Sequence, residues 1–352
     1  MPDKQDILIV GGYGEVGKRI AALLAPRHAG AVLIAGRNPG RAAELRSRRI
    51  DVDDPASVEA ALAGVGTIVA CVRQREPHLL LAAIRHGLAY TSIAPPWIEW
   101  PDLLPLQQEA QRTGARIVLA TGLEPGILSV LARMGAERLG RVDAIETALL
   151  LSVGDAYGRD SMNFILEELA QEYNILVDGQ TLPARAFGSS VRVEFPAPVG
   201  RRRAYTMPFR DQLYYPQTLG ARTAIARIAI DPPWVGKLLT SLARLGVRNL
   251  NAEPHRRTAI ERLREGIQHR YANHNQFALV VEVRGGDGIL RLSLSGHGQA
   301  DATAAGAAAT VEALVSREVE PPGIWLAEQM LAPGPFVSRL AAAGLAPSVY
   351  RG

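Results

Sequence analysis

A glycine-rich turn near the start of the chain constrains the fold more than any other feature of the sequence. The apolar run "ILIV", at positions 7–10, leads into glycines at positions 12, 14 and 17, and the helical pattern "KRIAALLA" follows. A buried strand, a tight turn with this glycine spacing and a helix, in this order, are typical of a turn that holds the diphosphate of a dinucleotide. We therefore predict such a turn here, with a purely structural glycine turn as the alternative.

Each glycine has its own task in a turn of this kind. The first permits the sharp bend, the second lets the backbone approach the diphosphate, and the third lets the helix lie close to its strand. The N–H groups at the start of the helix face the phosphates. The predicted diphosphate-binding residues are Gly12, Tyr13, Gly14, Glu15, Val16 and Gly17.

The end of the next predicted strand selects between two nicotinamide cofactors. An NAD site places an acidic residue there to accept hydrogen bonds from the ribose hydroxyls. In "AVLIAGRNPGRAAEL" the strand ends instead at Arg37 and Asn38, with Arg41 one turn later. A guanidinium pairs with a 2′-phosphate in a forked geometry, whereas a carboxylate repels it. We therefore predict NADPH rather than NADH, with a solvated loop arginine as the alternative for Arg37.

Strands and helices keep alternating beyond this point, which predicts a doubly wound parallel sheet, the Rossmann arrangement. Ligands of such sheets bind at the carboxyl ends of the strands, so we expect loops 73–77, 92–97 and 121–126 to border the site. Helix capping or solvation is an equal alternative for Asp51, and Cys71 is predicted to fill space rather than act as a nucleophile. The remaining predicted cofactor contacts are Asp51, Val52, Cys71, Val72 and Arg73.

The second half of the chain has a different pattern. Short strands with Gly and Pro punctuation over 174–230 predict a second sheet, and helices are predicted at 234–245 and 256–270. A hairpin is predicted around 285–288. The alanine-rich segment "DATAAGAAATVEALVSREV" predicts a long helix whose small side chains permit close packing against the first domain.

Several of these segments together resemble the saccharopine dehydrogenase-like reductases. They are "ILIVGGYGEVGKRIA", "AGRNPGRAAEL", "GLEPGILSVLA" and the ending "GQADATAAGAAATVEALVSREVEPPGIW", in the same order as in that family. The resemblance implies a Rossmann domain of residues 1–124 completed by 319–352, and an inserted α+β domain, 125–318, for substrate binding and homodimerisation. It also implies a reaction that makes or cleaves a secondary amine through an imine. The sequence departs from the family at Tyr90-Thr91-Ser92, where relatives tend to have Tyr-x-Asp, so saccharopine is not assigned as the substrate.

Reduction of a C=N bond also requires a group that keeps the nitrogen protonated. In "VGDAYGRD", after a predicted strand end, we predict Tyr157 as the proton donor, Asp155 as its assistant and Arg159 as a partner of a substrate carboxylate. The alternative is that Asp155 and Arg159 pair at a helix start while Tyr157 packs. Arg210 and Tyr214 are second-choice substrate contacts, and lining a strand edge is the alternative for both.

Composition excludes several other classes of protein. The 352 residues carry a formal net charge of +4 but no long basic run, and the densest basic cluster, "GRRRAY", is typical of a solvated loop. Cys71 is the only cysteine, which excludes an intrachain disulfide, and no metal-ligand spacing is present. With no leader pattern and no membrane-length apolar stretch, we expect a cytoplasmic protein that binds neither nucleic acid nor membrane.

Three functions remain open from the sequence. The first is NADPH-dependent reduction of an imine derived from an amine or amino acid, in a biosynthetic pathway. The second is NADPH-dependent reduction of a ketone or an activated alkene on the same fold. The third is a protein that binds the nucleotide without catalysis. In each case the expected partner is a small molecule.

Overall fold

The computed structural model describes residues 5–39, 45–93, 100–155, 164–246, 266, 269–271, 273–286 and 288–351. The chain divides into two compact units. The first comprises Met1–Val130 and Asp301–Ala343, and the second comprises Leu131–Ala300 and Gly344–Gly352. The sequence predicted domain boundaries after residues 124 and 318. The first lies a few residues before the change of unit after Val130, and the second lies well beyond the change of unit after Ala300.

The strands are β1 (Asp6–Val10), β2 (Val32–Gly36), β3 (Arg46–Arg49), β4 (Val65–Ala70), β5 (Ala89–Ser92), β6 (Arg116–Leu119), β7 (Ala144–Ser152), β8 (Glu172–Val177), β9 (Gln180–Arg185), β10 (Ser190–Phe195), β11 (Gly200–Thr206), β12 (Thr223–Asp231), β13 (Gln276–Gly285), β14 (Gly288–His297), β15 (Gly323–Leu326) and β16 (Ser348–Arg351). The helices are α1 (Glu15–Leu24), α2 (Pro55–Ala61), α3 (His78–Arg85), α4 (Trp100–Thr113), α5 (Ile127–Leu139), α6 (Asp211–Thr218), α7 (Pro233–Arg244), α8 (Gln299–Val315), α9 (Ala327–Met330) and α10 (Pro333–Ala342).

The first unit is built on a parallel sheet. Its strand order among the described residues is β15-β6-β5-β4-β1-β2-β3, and every neighbouring pair is parallel. The strand order reverses between β1 and β4. The carboxyl ends of these two strands are therefore the switch point, where doubly wound sheets bind their ligands. The predicted doubly wound parallel sheet is confirmed.

The core of this unit explains the alanine-rich segment. Side chains of β1 and β2 pack against α1 on one face of the sheet, and the small side chains of α8 pack into the same cluster, which permits a close approach of the helix. The buried members are Ile7, Ile9, Ile20, Ala21, Leu24, Val32, Ile34, Val69, Ala304, Ala307, Ala308 and Val311.

The second unit contains a mixed sheet. Its main path is β10-β11-β12-β7-β13-β14-β16, with β8 paired to β12 and to β9. Strands β7 and β12 are parallel and in register from Ala144↔Thr223 to Ser152↔Asp231, so both end at the same edge of the sheet. The predicted hairpin is present as β13–β14. This second sheet confirms the predicted α+β character of the inserted part.

Two details differ from the sequence-based expectations. The segment after Phe209, predicted among short strands, forms helix α6, because Asp211 accepts a hydrogen bond from Tyr215 one turn later and Gln212 bonds three backbone groups. Strand β16 pairs with β14 of the second sheet, although 319–352 was expected in the first domain. The helix predicted over 256–270 lies largely outside the described residues. No helix in the described part of the chain has the length and apolar character to cross a membrane.

Candidate functional site

The three motif glycines of the first turn meet different surroundings. A Cβ on Gly12 would lie 2.5 Å from the Cβ of Ile34, and a Cβ on Gly17 would lie 2.4 Å from the backbone oxygen of Gly11. Both distances are far below a normal contact, so these two glycines are needed for the packing of the turn on β2 and of α1 on the turn. Contacts within the protein therefore explain why neither position carries a side chain.

Gly14 is less crowded than the other two. Apart from its own chain neighbours, the Gly11 oxygen, at 3.2 Å, is the one atom of the described residues within 4 Å of a Cβ placed there, a tight contact but far longer than those at Gly12 and Gly17. Gly14 is the exposed N-cap residue of α1, no side chain caps the helix, and the first backbone bond is from Lys18 N to Gly14 O. The N–H groups of the first helical turn therefore receive no capping side chain, and an uncapped helix start of this kind can bind phosphate oxygens. The residues present fit a dinucleotide diphosphate.

The other turn residues connect this site to the end of β2. The ring of Tyr13 lies against Gly36, where an added Cβ would be 2.9 Å from the ring, and its hydroxyl donates to Pro39 O at 3.1 Å. Tyr13 thus positions the loop that carries Arg37. Glu15 pairs with Arg19 at 2.7 Å, and this hydrogen bond holds the pKa of the Glu15 carboxyl below its ordinary value. Val16 is half-buried against the core.

The end of β2 carries basic rather than acidic side chains. Arg37 and Asn38 are exposed just after Gly36, while Arg41 lies outside the described residues. The register of β2 and β3 adds a residue that the sequence analysis missed: Arg49 is the partner of Gly36 and is exposed. Arg37 directly follows Gly36, so Arg37 and Arg49 both lie at the carboxyl end of the β2–β3 pair and form a basic edge there.

The residues that follow β3 and β4 lie at the same carboxyl edge of the parallel sheet. Asp51 Oδ1 accepts from Asp53 N at 3.2 Å, so its carboxylate closes a local turn, while Asp54 caps α2. Val52, Cys71 and Val72 are half-buried, and Arg73 is exposed. A Cβ on Gly11 would lie 2.6 Å from Val72, so β4 and the glycine turn are in close contact.

The thiol of Cys71, just after β4, and the phenol of Tyr90, on β5, stay protonated at neutral pH. Cys71 keeps part of its surface, yet burial raises the pKa of its thiol to about 12. Burial likewise raises the pKa of Tyr90 to about 12, and its hydroxyl accepts from Gln74 at 3.3 Å. Neither group is a nucleophile or base near pH 7. The Thr91 and Thr121 hydroxyls, at the ends of β5 and β6, hydrogen-bond each other at 2.6 Å in the interior.

In the second unit the predicted substrate residues do not come together among the described residues. Asp155 is buried, and its Oδ2 accepts from Gln299 N at 2.5 Å, so this carboxylate caps α8. Tyr157 and Arg159 lie outside the described residues. Tyr214 is buried in helix α6, and Arg210 is the N-cap residue of that helix. Neither residue therefore lines a strand edge, which was the alternative interpretation.

A pair of side chains that the sequence analysis did not identify lies where β7 and β12 end. Asp231, the last residue of β12, is paired with His274, which comes just before β13. The two residues are 43 positions apart, and no local pattern connects them.

The comparisons with known proteins agree with this architecture. The sequence matches no family model and no curated protein. Among solved structures, the chain is similar to apo saccharopine dehydrogenase (L-Glu forming) from Saccharomyces cerevisiae, with a TM-score of 0.74 and 14% identity over 99% of this chain and 100% of that chain. It also matches an amine dehydrogenase from Mycobacterium smegmatis (TM-score 0.49, 12% identity, 92% and 95% covered). A third match is C. glutamicum DAP dehydrogenase in complex with DAP (TM-score 0.47, 14% identity, 97% and 99% covered).

The first of these similarities identifies the fold. The chain shares its fold with saccharopine dehydrogenase in an alignment that covers 99% of its residues. The resemblance predicted from the sequence segments is therefore confirmed at the level of the fold.

Proposed function

We propose that this chain is an NADPH-dependent oxidoreductase that reduces the C=N bond of an imine derived from an amine or amino acid. The observation that carries the proposal is the exposed Gly14 at the start of α1, which no side chain caps. Diphosphate oxygens match this site in size and charge, since a helix N-terminus offers N–H donors and a positive dipole end. The remaining turn residues, Gly12, Tyr13, Glu15, Val16 and Gly17, shape the site.

The choice of NADPH rests on the basic edge formed by Arg37 and Arg49. No acidic residue occurs between Gly36 and Arg41, so nothing there repels a 2′-phosphate. Two exposed guanidiniums offer it several donors in a fixed planar geometry. Asn38, and Arg41 from outside the described residues, are further proposed contacts of the 2′-phosphate. In this proposal Asp51, with Val52 next to it, lies at the adenine edge, and Cys71, Val72 and Arg73 face the nicotinamide side.

The choice of an imine rests on the fold and on the resemblance together. Saccharopine dehydrogenase shares the whole fold, and the reductases that the sequence segments resemble act on a secondary amine through an imine. When bound, a reduced nicotinamide supplies a hydride. The protein must then place the substrate nitrogen near a proton source, for which the segment after β7 offers Tyr157, with Arg159, Arg210 and Tyr214 as substrate contacts. Asp155 already caps α8, so its proposed part is to position that segment.

The assay that tests this function compares two classes of substrate in the oxidative direction. Purified protein is mixed with NADP⁺ and either secondary amines formed from two amino acids or the matching alcohols, and NADPH formation is followed by absorbance. We expect turnover of amines, increasing toward high pH because oxidation releases a proton. Turnover of alcohols alone would identify a carbonyl reductase, and NADPH binding without turnover of amines, alcohols or, in reverse, enoyl compounds would identify a nucleotide-binding protein.

A further inference from the structure

The side chain of Tyr13 connects the glycine turn to the segment that ends β2, within the first unit. Its ring carbons Cδ2 and Cε2 lie 2.9 and 3.0 Å from the position that a Cβ on Gly36 would take. Its hydroxyl donates to Pro39 O at 3.1 Å, and the residue is half-buried against the core of β1, β2 and α1. One side chain of the turn therefore contacts both ends of segment 36–39.

The Tyr13 ring gives the reason for a glycine at position 36. Glycine is commonly needed where φ lies in the left-handed region, but Gly36 is not among the described residues with a positive φ. Apart from the chain neighbours of Gly36, Tyr13 is the one described residue with atoms within 4 Å of the missing Cβ. A large ring at position 13 and no side chain at position 36 therefore form a matched pair.

Both arginines of the basic edge are tied to the backbone of Gly36. Arg37 follows Gly36 directly, and Arg49 is its register partner. Ile50 N donates to Gly36 O at 3.0 Å, which fixes the backbone just after Arg49. Neither guanidinium has a hydrogen bond or ion pair with the described part of the chain, so both remain available to an anion.

We propose that Tyr13 is the positioning residue for selectivity between NADPH and NADH, an inference that rests on the proposed function. The ring contact with Gly36 and the hydroxyl bond to Pro39 O hold segment 36–39 in place, and with it Arg37. The arginine then meets a 2′-phosphate from a backbone that is already ordered, which lowers the entropic cost of binding. NADH has no 2′-phosphate and gains nothing from this order.

Two other roles for Tyr13 lead to different results. A ring that only packs in the core affects the stability of the fold and leaves the ratio of the two affinities unchanged. A ring that contacts the part common to both nucleotides affects NADPH and NADH equally. Only a residue that acts through Arg37 changes the affinity for NADPH while the affinity for NADH stays the same.

The binding test uses Tyr13→Phe, which keeps the ring on Gly36 and removes the bond to Pro39 O. By titration calorimetry we expect the affinity for NADPH to fall about three- to tenfold, as for the loss of one hydrogen bond, and that for NADH to stay within about twofold. The matched control is Tyr350→Phe, because Tyr350 is 59% exposed on β16 of the second unit. Its two affinities should equal those of the wild type.

A second test examines the ring contact by a double-mutant cycle. Gly36→Ala places a methyl group 2.9 Å from the ring, so the ring must move and the affinity for NADPH should fall. In a Tyr13→Ala background that methyl group meets no ring, and Gly36→Ala should then have a much smaller effect. Independent effects of the two substitutions would show that the pair is not coupled and would overturn the proposal. Urea unfolding of each variant shows that it is folded.

The outcomes separate this inference from the function on which it rests. A wild-type protein without affinity for NADPH removes the proposed function and this inference with it. A wild type that prefers NADPH, together with a Tyr13→Phe variant of the same preference or of equally weakened affinity for both nucleotides, overturns only the role of Tyr13.

Discussion

At the scale of single residues, the three motif glycines of the first turn separate into two kinds. Gly12 and Gly17 are required by neighbouring protein atoms, whereas Gly14 is exposed and a Cβ there would meet the Gly11 oxygen at 3.2 Å. Severe crowding therefore explains the first two glycines better than the third. In the proposed function, the exposed backbone at Gly14 is the part of the turn that the diphosphate approaches.

This distinction predicts opposite effects for two alanine substitutions. Gly17→Ala places a methyl group against rigid backbone atoms and should destabilise the protein by about 1–3 kcal/mol. Gly14→Ala should change the free energy of unfolding by less than about 1 kcal/mol, yet weaken NADPH binding at least about tenfold, because the methyl group occupies the place of a phosphate oxygen. Urea unfolding and calorimetry measure the two quantities. Equal NADPH affinity in Gly14→Ala and the wild type would contradict the assignment.

Which site residues could be predicted depended on where their neighbours lie in the chain. The glycine turn and Arg37 were visible because strand, turn and helix are consecutive in sequence. Arg49 acquires its place only from the register of β3 with β2, and His274 acquires its partner from a strand end 43 positions away. Such contacts are set by tertiary pairing, which a single sequence does not encode in any local pattern.

At the scale of elements, periodic segments were predicted well and irregular ones were not. Strand β1, helix α1, the β13–β14 hairpin and the alanine-rich α8 all follow a period of two or 3.6 residues, or a recognised turn. Helix α6 does not, because "DQLYYPQT" contains Pro216 and is held by hydrogen bonds of Asp211 and Gln212 instead of an apolar stripe. A helix of this kind is fixed by its surroundings.

The second sheet contains an ion cluster that links its central strands. Glu146 on β7 and Glu282 on β13 are direct register partners, an arrangement that is unfavourable for two like charges. Arg284 contacts both carboxylates, and Arg227 of β12 reaches Glu146 at 2.6 Å. Burial opposes the charge of Glu146, but the two arginines outweigh it and hold the pKa of this carboxyl below its ordinary value. The arginines therefore tie three strands together.

This cluster predicts a pH-dependent contribution to stability. Glu146→Gln should destabilise the protein by roughly 2 kcal/mol at neutral pH, less than a fully buried pair, because Arg227 loses its carboxylate partner and Arg284 keeps only Glu282. Since the folded-state pKa of Glu146 is lowered, the stabilisation is complete above its ordinary value of 4.5 and is lost as the pH falls through the lower, folded-state value.

Thermal unfolding across pH measures the effect. The difference between Glu146→Gln and the wild type should shrink below pH 4.5. Glu172→Gln is the matched control, because Glu172 pairs with Arg185 on an exposed hairpin and its loss should cost within about 0.5 kcal/mol. A Glu146→Gln difference that persists unchanged into acid would show that packing, and not charge, holds these strands.

At the scale of the whole molecule, the chain's last part contributes to both sheets. Strand β15 extends the parallel sheet beside β6, and β16 extends the second sheet beside β14. The family resemblance implied the first pairing, but the second depends on a contact of four residues at the end of the chain that no periodic pattern indicates. The architecture was therefore predictable from the sequence more completely than the domain boundaries.

The central claim is that the first unit binds a dinucleotide carrying a 2′-phosphate, and titration calorimetry with NADPH and NADH tests it most directly. The comparison includes Arg37→Asp and, as a control with the same charge change, Arg192→Asp on the exposed strand β10 of the second unit. We expect the wild type and Arg192→Asp to bind NADPH at least about tenfold more tightly than NADH, and Arg37→Asp to lose this preference. No measurable affinity of the wild type for NADPH, or equal affinity for both nucleotides, would contradict the account.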